Sequence, residues 1–109
     1  MSGDVPVAVS PLERKFLSRL RVAGLLLPPR TNRAVGTMRV DCRWPEQRLT
    51  VELDSFRHHN SRHTWERDHR REREARARGD DFRRYTWGDV FEHPAEMLEE
   101  LRMLLPEAR

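Results

Sequence analysis

Cysteine is almost missing from this chain: Cys42 stands alone among 109 residues. An internal disulfide and a cysteine-built zinc site are therefore excluded, and a reducing cytoplasm is the expected setting. Long apolar runs are missing too. The longest, Leu25 to Leu27 after Val22 and Ala23, falls far short of the roughly 18 residues a membrane span needs. Residues 1–10 have neither the basic start nor the apolar centre of a secretory signal, and no internal repeat or low-complexity tract is present. Lysine is nearly absent, since Lys15 is the only one among 21 basic residues and the other 20 are arginines. Hydrophobic residues (37%) scarcely outnumber charged ones (36%), which implies one small core under a crowded surface: a single domain over 10–109 behind a flexible leader, 1–9.

What is present is charge, unevenly placed. From Arg57 to Arg78 there are eight arginines against four acids (Glu66, Asp68, Glu72, Glu74), a local net of +4 in a chain whose total is +3. His58, His59, His63 and His69 fall in the same stretch. Such a segment is either a solvated helix laced with i,i+4 pairs or a surface that faces phosphates, for which arginine's planar fork is well suited.

Ser10-Pro11-Leu12-Glu13 has the order of a helix start: serine at the cap, proline at the first turn and glutamate three residues after the cap. Leu12, Phe16, Leu17 and Leu20 then recur at helical spacing up to Gly24, predicting a helix over about 11–23. After Pro28-Pro29 a short strand is expected at 32–35, with a turn at Gly36. Met38, Val40, Cys42 and Trp44 alternate with polar residues, as do Leu49, Val51 and Leu53, so two half-buried strands flank a loop at 45–48. Pairing them across that loop sets Trp44 opposite Leu49, Cys42 opposite Val51 and Val40 opposite Leu53. The same register sets Asp41 opposite Glu52, with Asp54 further along the same face. A helix over about 64–78 ended by Gly79, a strand over 82–87 and a helix opened by Pro94 complete an α/β layer domain. The three tryptophans, Trp44, Trp65 and Trp87, are expected in the core.

Two carboxylates directly opposite on a sheet repel at a Cβ separation of about 5 Å. A raised pKa, an arginine such as Arg39 or Arg43, or a divalent cation would offset this. Spacing alone leaves those alternatives open. As a capping-box partner of Ser10, Glu13 already has a structural role.

Val40-Asp41, then Val51-Glu52-Leu53-Asp54 with His58 and His59 close behind, then Asp68 to Arg71, Gly79 and Arg84-Tyr85-Thr86-Trp87, resemble the very-short-patch-repair-endonuclease-like family of the PD-(D/E)XK nuclease superfamily. The likeness spans about Ser10 to Leu105 and is greatest to the bacterial domains of that branch. It implies a restriction-endonuclease-like fold, a mixed central β-sheet flanked by α-helices, and Mg²⁺-dependent cleavage of a DNA phosphodiester, with Mn²⁺ able to replace Mg²⁺. It implies metal ligation by Asp41, Glu52 and Asp54, with Asp54 in the place of the superfamily's usual lysine. It adds Glu13 from the first helix and one of the two histidines, His58 or His59, as catalytic groups; position does not decide between them, and His59 is taken as the candidate. Arg67, Arg70, Arg71 and Arg84 are the candidates for phosphate contacts, Arg71 alternatively pairing with Asp68 or an acid of the site. Target choice would then fall to loops, a homodimer or a partner domain. The rival readings are a non-catalytic nucleic-acid-binding or regulatory module on the same fold, and an interaction protein whose acids only pair with arginines.

Overall fold

The computed structural model describes residues 10–33, 39–54 and 62–108. The leader, the turn at Gly36, and both His58 and His59 lie outside the described residues. In chain order the elements are α1 (Pro11–Val22), β1 (Arg30–Arg33), β2 (Arg39–Trp44), β3 (Leu49–Asp54), α2 (Arg62–Ala77), β4 (Asp81–Thr86), a π-helical turn (Gly88–Glu92) and α3 (Pro94–Leu104). The strands form one mixed sheet in the order β1-β2-β3-β4, antiparallel except for β4, which runs parallel to β3 after the α2 crossover. The α/β mixed sheet flanked by helices is thus what the chain forms.

Local chemistry accounts for the boundaries. At the start of α1 the Ser10 hydroxyl accepts from the Glu13 amide at 3.1 Å, and Pro11 occupies the first turn. The helix closes with Gly24 at φ +72°, its N–H bonding Arg21 O while the Leu25 N–H bonds Leu20 O. This reciprocal pattern satisfies two end carbonyls and needs a residue tolerant of positive φ. α2 ends the same way: Gly79 lies at φ +87°, its N–H bonds Arg76 O, and the Asp80 N–H bonds Ala75 O. That closure turns Asp80 inward, where it is buried.

Parity then divides the sheet into two unlike faces. Cys42, Trp44, Leu49, Val51, Leu53 and Tyr85 join Leu12, Phe16 and Leu20 of α1 and Met97 and Leu101 of α3 in one buried cluster. The buried Trp44 indole donates to Leu26 O at 3.0 Å, so its one polar group is satisfied. Asp41, Arg43, Thr50, Glu52, Asp54 and Arg84 occupy the opposite face, which α2 covers. Little apolar surface is buried there: among the described residues Ala75 and Phe82 are the buried hydrophobics outside the main cluster.

The hairpin register is as the alternation requires, with Trp44↔Leu49, Cys42↔Val51, Val40↔Leu53 and Asp41↔Glu52. Other expectations need correction. β1 is centred earlier, at Arg30–Arg33, and the π-helical turn before α3 has no counterpart in the sequence reading. Trp65 is 60% exposed rather than core, its ring tilted against that of His69 one turn later at 3.9 Å between ring centroids. α2 turns Asp68, Arg71 and Ala75 toward the sheet, so Trp65 is left on the solvent side.

Candidate functional site

The polar face of the hairpin carries the candidate site. Asp41 of β2 and Glu52 of β3 are directly opposed, and Glu52 is fully buried. A buried, uncompensated carboxylate would cost several kcal/mol, about the scale of a whole domain's net stability, so a fold with this register must supply positive charge. α2 supplies it. Arg71 donates from Nε to Glu52 Oε2 at 2.7 Å and from Nη2 to Asp41 Oδ2, spanning both acids with one guanidinium. From β4, Arg84 donates through Nε to the other Glu52 oxygen at 3.1 Å and through Nη2 to the backbone carbonyl of Asp68 at 3.4 Å. Burial disfavours the Arg71 charge, but Asp41 and Glu52 together more than offset this and hold its pKa above the ordinary value.

A second ionic group lies further along the same face. Asp80 accepts from Arg43 Nε at 2.8 Å and Nη2 at 3.0 Å, and from the Thr50 hydroxyl at 2.7 Å. The hydrogen bond from Arg43 is the main reason the Asp80 carboxyl is held below its ordinary range; burial opposes it, and Thr50 and Arg78 add to it. Arg43, expected as a partner for Asp41 or Glu52, is engaged here instead. Asp80 was not among the sequence candidates. Its signal was the Gly79 stop, which places the next residue on the inward side of the helix end.

The remaining candidates divide as follows. Asp54 is buried at the end of β3, on the face of Glu52 and in register with Arg39 and Thr86. Glu13 is fully buried on the first turn of α1, the helix that packs against the apolar face. Arg67 and Arg70 are exposed on the outer side of α2. Arg71 and Arg84, read from sequence as phosphate contacts, both bond Glu52, so the alternative of Arg71 pairing with an acid of the site is the one seen. His59 lies outside the described residues, as does His58.

Chemically, Asp41 and Glu52 present hard oxygens from adjacent strands, already drawn to one shared cationic group. Mg²⁺ commonly takes one or two carboxylates and keeps its waters, so this donor pair suits it. Among the described residues no three histidine, cysteine or acidic side chains are grouped as a metal ion would hold them. The edge is open: the Asp41 side chain is 24% and the Arg71 side chain 33% exposed, whereas Glu52 is sealed. No described helix is long and apolar enough to cross a membrane. Set beside protein-family models, curated proteins and solved structures, the chain matches none of them.

Proposed function

We propose that this domain hydrolyses DNA phosphodiester bonds with a divalent cation, in the manner of the very-short-patch-repair-endonuclease-like domains that its sequence resembles. The observation carrying this reading is the cross-strand pair Asp41–Glu52, held around a shared positive charge with one edge open to solvent. Mg²⁺ or Mn²⁺, held by Asp41 and Glu52, with Asp54 on the same face as a third ligand or as the group that positions water, would neutralise charge at the phosphorus and raise the acidity of water. The chain's own residues do the rest. Arg67 and Arg70, exposed on α2, hold flanking phosphates as bidentate donors. His59 takes the proton of the attacking water or returns one to the leaving oxygen near neutral pH. The resemblance also casts Glu13 as a catalytic group; it is buried on α1, the helix on the apolar face of the sheet. Cytoplasmic action, and a homodimer or partner domain that supplies target choice, belong to the same proposal.

A second reading has its own support: Arg71 and Arg84 already neutralise the acids, as they would in a non-catalytic nucleic-acid-binding module built on this fold. Nicking of supercoiled plasmid with Mg²⁺ or Mn²⁺ separates the two. The expected outcome is open-circle product from wild type and none from Asp41→Ala or Glu52→Ala. Salt-sensitive DNA binding without cleavage would favour the binding module.

A further inference from the structure

We propose that Arg71 is a displaceable internal counter-ion of the Asp41–Glu52 pair, whose departure sets the threshold for loading a divalent cation. The inference rests on the cation-dependent reading above and adds to it what regulates the site.

The two arginines at Glu52 are not equivalent. Arg84 is fixed at both ends, to Glu52 Oε1 and to the carbonyl of Asp68, and bonds one member of the acid pair. It therefore orients Glu52 whatever happens at Asp41. Arg71 spans both acids, its guanidinium taking one oxygen from each. Both arginine side chains are about equally exposed, 33% for Arg71 and 29% for Arg84, so what sets Arg71 apart is its bridge to the partly open Asp41. A long, single-bonded stem on the α2 surface lets the guanidinium swing outward into solvent without moving the helix, toward Glu74 three residues later, which already attracts its charge.

The electrostatics make displacement a competition between cations. Two buried or half-buried carboxylates that oppose one another need about one positive charge to be tolerated, and Arg71 meets that need in the resting fold. A divalent cation brings more charge in less space but must be bound against the ion pairs it breaks. Removing Arg71 removes that opposition and leaves the same two carboxylates with Arg84 still in place, so intrinsic affinity for the cation rises.

Mn²⁺ alone is the probe, titrated into the purified protein and followed by the loss of the free-ion paramagnetic resonance signal. Arg71→Gln should bind Mn²⁺ at least about tenfold more tightly than wild type, the change that about 1.4 kcal/mol produces. Arg71→Lys, which keeps a charge but cannot fork between two acids, should fall between them. Arg76→Gln, which removes an exposed arginine paired to Glu72 on the same helix, should leave affinity within about twofold, since exposed charges contribute little. If Arg71→Gln folds only with Mn²⁺ present, that too supports the exchange, and Arg71→Lys then carries the affinity comparison. Equal Mn²⁺ affinity in wild type and both Arg71 variants overturns it.

The failures are separable. Wild type that binds Mn²⁺ and nicks DNA, with no tightening in the Arg71 variants, overturns the counter-ion role and leaves the nuclease reading standing. Tightening in Arg71→Gln with no nicking by wild type supports the counter-ion role and removes the nuclease reading. No Mn²⁺ bound by any version overturns both.

Discussion

Replacing Asp80 with asparagine removes one negative charge from the sheet face while keeping the shape of the side chain. The buried carboxylate accepts two hydrogen bonds from Arg43 and one from Thr50. Hydrogen bonds to charged groups contribute about 1.5–3 kcal/mol each, against about 1 kcal/mol for neutral ones. Asparagine retains one acceptor oxygen, so it loses half of the fork and the charge assistance on what remains. Arg43 is partly exposed and recovers water, which trims the loss to about 2 kcal/mol overall. With an unfolding entropy of about 0.23 kcal/mol/K for a chain this long, that lowers the melting temperature by about 9 °C. Thermal melts followed by circular dichroism at neutral pH would measure it.

The pH dependence sharpens this prediction. The folded-state pKa of Asp80 lies below its ordinary value of 3.8, so its stabilisation is complete above that value and is lost as pH falls through the folded pKa. The gap between wild type and Asp80→Asn should be widest near neutrality and close in acid. A variant that melts with wild type at neutral pH, or a gap that widens in acid, would refute the reasoning.

Tyr85 offers a second titration. It is the only tyrosine, its pKa is raised by burial and then by its 2.8 Å hydrogen bond to Glu100, and an absorbance titration of the phenol should therefore end well above the ordinary value of 10.0. The stabilisation that goes with this shift is present below pH 10.0 and disappears as pH rises through the folded pKa; Tyr85→Phe should remove that alkaline step at a cost of about 1 kcal/mol in denaturant unfolding. Phe16 is fully buried between α1 and the sheet, so Phe16→Ala should cost about 3–5 kcal/mol. In a domain this small, that loss should abolish most of the cooperative unfolding transition in urea.

Much of the fold could be read directly, because strand alternation is unambiguous about faces. Once Trp44 is set opposite Leu49 the parity of the hairpin follows, and Asp41 must oppose Glu52. The α1 start was equally plain, since serine, proline and glutamate at their respective positions each satisfy a different need of a helix end. α2 was harder for a physical reason. Its sequence has no apolar stripe to say which side faces inward, and it is held to the sheet chiefly by Arg71 bonding Asp41 and Glu52 and by Arg84 of β4 bonding the Asp68 carbonyl, with little apolar contact. A charged helix that packs by ion pairs has the same composition as one that faces solvent. Size alone puts Trp65 in the core, and composition leaves Arg71 divided between a phosphate and an acid of the site and offers no sign that Arg84 bonds Glu52. Asp80 escaped notice because its role depends on how tightly α2 closes at Gly79 and on where β4 begins, neither of which any periodicity encodes.

The Mg²⁺ dependence of plasmid nicking tests cation-dependent hydrolysis by this domain most directly. Conversion of supercoiled to open-circle DNA should be absent in EDTA, rise with added Mg²⁺ for wild type, and stay absent at every Mg²⁺ concentration for Asp41→Ala. Nicking that survives EDTA, or that Asp41→Ala carries out as well as wild type, would contradict it.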